Sequence, residues 1–213
     1  MTDGQVAALL LWLVLLAFSL NGPLLRTLHA NPLYQHLCLG SAIALIPLWV
    51  LRAGLHEGLE IHFLGLTALT LLLGWRLALL APSLTLLILG CFGVTDLADF
   101  GWQALLGIAL PVATSWLLFL ASWAWLPRHL FVYLFVAAFL GGALAISVKV
   151  IASALWMGLD GRYGWQTISS DYLSIWPLLL FPEALLNGMA MTLLAVYRPH
   201  WVNTFFDREY LGR

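Results

Sequence analysis

Long apolar runs fill this chain, and its charged residues gather in the gaps between them. Only 9% of the 213 residues are Asp, Glu, Lys or Arg, while 62% are hydrophobic. A water-soluble domain carries about 25% charged residues. The composition therefore predicts an integral membrane protein. Inside lipid every backbone N–H and C=O must be bonded internally, so only helices or closed barrels span. The runs show no alternating strand pattern. The expected fold class is all-α, a single transmembrane domain over residues 1–213.

The polar punctuation predicts a bundle of about seven helices. They run roughly Val6–Leu20, His36–Leu51, Ile61–Leu73, Trp75–Phe92, Trp102–Trp125, Leu130–Trp156 and Tyr172–Tyr197. Six result if Ile61 to Gly90 forms one long span. Gly74-Trp75-Arg76 reads instead as a tight turn between two shorter helices, and Pro82 offers a further break. Asp3 and the absence of Lys or Arg ahead of Val6–Leu20 argue for a retained first helix rather than a secretory signal.

Orientation follows from the loop arginines. Seven spans place Arg26, Arg76, Arg128, Arg198, Arg208 and Arg213 on one side, and Arg52 and Arg162 on the other. The first side is expected to be cytoplasmic, with the N-terminus outside and the C-terminus inside. The same arrangement puts Asp3, Glu57, Glu60, Asp96, Asp99, Asp160 and Asp171 outside, with His56 and His62. Such a face attracts cations. The tail from Pro199 to Arg213 reads as a short cytoplasmic interfacial segment. Cys38 and Cys91 read as small buried hydrophobes, and a net charge of −1 gives no basis for nucleic-acid binding.

The densest set of metal-ligand types is His56-Glu57-Gly58-Leu59-Glu60-Ile61-His62. Imidazole from His56 and His62 suits nickel, cobalt, zinc or copper, and Glu57 and Glu60 add carboxylate oxygen. The alternative is a solvated loop with His62 at a helix end. Asp96 and Asp99 either line a cation entrance or cap short helices. Lys149 and Glu183 fall at similar depths of the last two helices. A charge near the bilayer centre costs about 2.5–3.5 kcal/mol, so the two are expected to pair, fixing helix register or serving transport. Gly141-Gly142 and Ala145 form a face for close helix packing. Pro182 and Asn187 mark the last helix as irregular. The boundary tryptophans, Trp102 and Trp156 among them, read as an aromatic belt. No phosphate-binding loop, Gly-x-Ser-x-Gly or His-Glu-x-x-His occurs, so an enzyme is not expected.

His62 to Gly74 reads HFLGLTALTLLLG, followed by Trp75 and Ala78-Leu79-Leu80. This resembles the CbiM-type (cobalt/nickel) substrate-binding permeases of energy-coupling factor transporters. Phe92-Gly93 with Asp96, and Pro182-Glu183 with Asn187-Gly188, extend the resemblance over about residues 35–197. It implies a substrate-capture component of an ABC importer for a divalent transition metal, in a bacterial inner membrane. The metal would be substrate, with no resident cofactor. Implied partners are the lipid bilayer, a separate transmembrane coupling subunit and cytoplasmic ATPases. The family's third-helix His maps onto His62. Nickel and cobalt members also carry a His directly after the initiator Met, where this chain has Thr2. The site is thus rebuilt from His56, Glu57, Glu60 or Asp3, or the substrate differs, or transport is lost. The competing expectation is a non-transport scaffold or assembly subunit of a larger membrane complex.

Overall fold

A computed structural model describes residues 2–53, 60–161, 163–206 and 210. The described chain is helical apart from one two-residue strand pair. Its helices are α1 (Asp3–Ser19), α2 (Gly22–Ala30), α3 (Pro32–Val50), α4 (Leu66–Leu73), α5 (Trp75–Cys91), α6 (Leu97–Trp125), α7 (Leu130–Asp160) and α8 (Trp165–Tyr197). Strands β1 (Arg52–Ala53) and β2 (Ile61–His62) pair antiparallel between α3 and α4, with Arg52 opposite His62.

Among the described residues, α3, α6, α7 and α8 are each long and apolar enough to cross a membrane. Helix α1 bends by 70° into Leu24–Ala30, and that pair passes the same test together. This is a multi-pass membrane protein. Helix α4 is too short to span: eight residues rise about 12 Å.

Each expected helix corresponds to an observed one, with differences at the ends. Helix α2 was not anticipated; its mix of Pro, Arg and His with leucines hides it from a hydropathy reading. The expected helix from Ile61 starts only at Leu66, because Ile61 and His62 extend as β2. The chain does break at Gly74, whose φ of +79° suits glycine. It does not break at Pro82 or Pro182, and both helices run through. Wider π turns occupy Leu105–Ala109, Tyr133–Leu140 and Ile168–Leu173 instead.

The short α4 sits at the centre, touching α3, α5, α6, α7 and α8. Its residues are buried except for Ala68, so its backbone ends cannot turn to water. Other segments satisfy them. At the N-terminal end, Glu183 of α8 accepts from the N–H groups of Leu64 (2.8 Å) and Gly65 (2.9 Å), and Asn187 accepts from Ala68 N–H (2.8 Å). At the other end the Leu72 carbonyl accepts from Asn203 N–H at 2.9 Å, and the Leu71 carbonyl accepts from Thr204 Oγ1 at 2.8 Å. In between, the Thr67 and Ser115 hydroxyls bond at 2.7 Å.

The tail is therefore more than an interfacial strip. Val202, Thr204, Phe205 and Tyr210 are buried, with Phe205 and Tyr210 stacked beside Tyr133. Aromatic area and the exposed carbonyls of α4 draw the segment inward. Small residues permit the closest helix approaches. A Cβ on Gly142 would lie 2.9 Å from Asn187 Nδ2, and one on Gly101 would collide with the backbone of Ala8 and Leu9. Cys38 is buried as expected, but Cys91, at the end of α5, is exposed.

Candidate functional site

Residues from four expected outer segments converge on one cavity of about 150 Å³. Arg52, Glu60 and His62 reach it from the β1–β2 region. Thr95 comes from just ahead of α6 and Asp99, Trp102 and Gln103 from its start, with Lys149, Ser153, Trp156 and Asp160 from α7 and Tyr172 from α8. Trp49 closes one wall.

His62 is held by its neighbours. Its Nδ1 lies 3.0 Å from the Phe63 carbonyl and so carries the proton, leaving Nε2 as the ring's lone-pair acceptor. The imidazole sits 5.2 Å from the Trp49 ring, and Trp49 Nε1 donates to the Leu64 carbonyl at 3.2 Å. Burial, reinforced by the Lys149 charge, pushes the imidazole from its usual value down to about 3. At neutral pH the ring is uncharged, the form that binds metals. Two residues on, Glu183 clamps the backbone of Leu64 and Gly65, so α8 fixes where β2 ends.

Glu60 faces the same cavity, but Arg52 Nη1 donates to its Oε2 at 2.6 Å. Its carboxylate is already paired. Asp99 accepts from Gln5 Nε2 at 2.8 Å, tying α1 to the cavity rim. It lines the cavity rather than capping α6 with its side chain. Asp96 is exposed and outside the lining; its Oδ1 accepts from Ala98 N–H at 2.8 Å, a capping role. His56 and Glu57 lie outside the described residues. Among the described residues, no three His, Cys, Asp or Glu side chains are grouped so as to hold a metal.

The expected Lys149–Glu183 pair does not form. Glu183 spends its oxygens on Leu64, Gly65 and Asn187, whose Nδ2 lies 2.7 Å from Oε1. Lys149 turns to the cavity and donates to the Tyr172 hydroxyl at 3.3 Å, with its Nζ 5.7 Å from the ring centre. Depth along two helices does not decide side-chain azimuth, and the N–H groups ahead of α4 offered Glu183 backbone donors.

Several lining residues escaped the sequence reading. Trp102 and Trp156 stack at 3.5 Å between centroids and form a cavity wall. The belt assignment hid them, and no local pattern separates a boundary tryptophan facing lipid from one facing a cavity. Asp160 and Arg52 sit at helix ends and read there as loop charges.

A family model described as "Cobalt uptake substrate-specific transmembrane region" matches residues 2–201. No curated protein and no solved structure matches the chain.

Proposed function

The chain belongs to the family of cobalt uptake substrate-specific transmembrane regions, and we propose that it captures a divalent transition metal for import, with His62 as the primary protein ligand. The observation that carries this reading is the His62 imidazole, its Nδ1 held by the Phe63 carbonyl at 3.0 Å and its ring lining a cavity rimmed by Asp99 and Asp160. An uncharged imidazole suits cobalt and nickel, and acidic groups at an entrance concentrate cations. Glu60 is an auxiliary ligand, available when Arg52 releases it, and His56 and Glu57 are further candidates from the same connection.

The cavity end is the outer face, and the arginine-rich end, with Arg76, Arg128 and Arg198, faces the cytoplasm. Support comes from the cavity itself, which joins residues of the segments that loop charges assign to one side. The chain has no phosphate-binding loop, so a separate coupling subunit and cytoplasmic ATPases supply the energy, in an energy-coupling-factor arrangement in a bacterial inner membrane.

The test is calorimetry of the purified full chain in detergent with cobalt and with nickel. Saturable binding in the wild type that His62→Ala abolishes is the expected result. Binding unchanged by His62→Ala removes His62 as the ligand, and no binding of either metal, free or complexed, removes the capture role.

A further inference from the structure

Lys149 is an unusual side chain for a cavity that receives a bare cation. It is 8% exposed, within the apolar helix α7, and lines the same cavity as His62. Its partner is the neutral Tyr172 hydroxyl at 3.3 Å. Among the described residues, no carboxylate lies within ion-pair distance of its Nζ. A buried ammonium is costly unless an anion and further hydrogen bonds compensate it. The carboxylates of the cavity do not supply that anion among the described residues: Glu60 is paired with Arg52, Asp99 accepts from Gln5, and Asp160 makes no ion pair with Lys149.

The metal side is short of donors in the complementary sense. His62 offers one nitrogen, and no three-ligand group exists among the described residues. A metal held at His62 needs more ligands than the described residues group around it. Space is available, because a cavity of about 150 Å³ accepts a benzene-sized molecule. The stacked Trp102–Trp156 pair supplies a flat wall for an organic ligand.

We propose that the site takes its metal as a complex with a small amino-carboxylate chelator, in which His62 completes the metal's coordination and Lys149 pairs with the chelator's carboxylate. This rests on the capture role above and specifies its substrate. One carboxylate oxygen and the amine bind the metal, and the second carboxylate oxygen accepts from Lys149 Nζ. The chelator's negative charge also offsets repulsion between the metal and the ammonium.

The test is calorimetry on the full chain in detergent with three probes: cobalt(II) alone, glycinate alone, and cobalt(II) with excess glycinate. The wild type is expected to bind the cobalt–glycinate mixture about tenfold or more tighter than cobalt alone, the equivalent of one charge-assisted hydrogen bond. Lys149→Met should erase that gain, Lys149→Arg should keep most of it, and His62→Ala should lose both. Elution profiles of the variants establish that each is folded. Cobalt alone binding as tightly as the mixture overturns the chelate inference while leaving metal capture intact; donors outside the described residues then complete the site. Glycinate alone binding as well as the mixture also overturns it, as does a gain that survives in Lys149→Met. Failure of the wild type to bind any cobalt species overturns the capture role and this inference with it.

Discussion

Among the described residues, one acidic and one basic side chain, Glu183 and Lys149, are buried in this bundle, and they are treated in opposite ways. Glu183 is 1% exposed and has three donors: two backbone N–H groups and the Asn187 amide. Lys149 is nearly as buried and has one neutral hydroxyl. Glu183 belongs to a closed network bracing α4, so its hydrogen bonds serve the fold. Lys149 faces open volume, so its unmet requirement can be completed only from that volume. In a low-dielectric interior a fully satisfied network rigidifies the fold, whereas a partly satisfied group carries a cost that a ligand can offset.

The sharpest test of this contrast is Glu183→Ala. It leaves the Leu64 and Gly65 N–H groups without an acceptor, at about 1–3 kcal/mol each, and removes one of the two acceptors of the Asn187 amide, whose bond to the Glu183 carbonyl remains. Thermal unfolding in detergent should show the largest loss of the set, several kcal/mol in total. A loss no greater than that of Lys149→Met would dissolve the contrast. Next comes Gly142→Val, which drives branched carbon into Asn187 and the Glu183 carbonyl. Overpacking of this kind costs about 1–3 kcal/mol. The same unfolding measurement checks it, and Gly107→Ala, with open space around its missing Cβ, is the control.

A smaller effect is expected at Asp96→Ala, which removes an exposed cap worth about 1 kcal/mol. Cobalt affinity should be unchanged, since Asp96 lies outside the cavity lining. A marked fall in affinity would restore Asp96 to the entrance. The smallest stability change belongs to Lys149→Met, which should be neutral or slightly stabilising, because replacing a poorly compensated buried charge with an apolar chain removes a desolvation cost. Marked destabilisation would mean that Lys149 braces the fold as Glu183 does.

Much of the fold is legible along the chain. Apolar runs, Gly74 and the helix-ending polar clusters mark the helices to within a few residues. The α4 start is the instructive miss: Ile61 and Phe63 continue an apolar pattern, yet Glu183 takes the Leu64 and Gly65 N–H groups and starts the helix at Leu66. Of the site, His62, Glu60 and Asp99 were identifiable as chemistry-bearing residues at one end of the bundle. Their paired states were not. Arg52 reaches Glu60 across a strand pair, and Gln5 reaches Asp99 across 94 residues.

The sequence by itself determined the membrane character and the helical class. Each follows from local composition, because lipid punishes unpaired backbone and exposed charge wherever they fall. Only the tertiary structure decided which polar groups meet. It turned Glu183 onto the start of α4 and Lys149 into the cavity, and drew Val202, Thr204, Phe205 and Tyr210 into the core. Those choices depend on helix rotation and on the backbone groups that a short buried helix leaves open, neither of which is written in residue spacing.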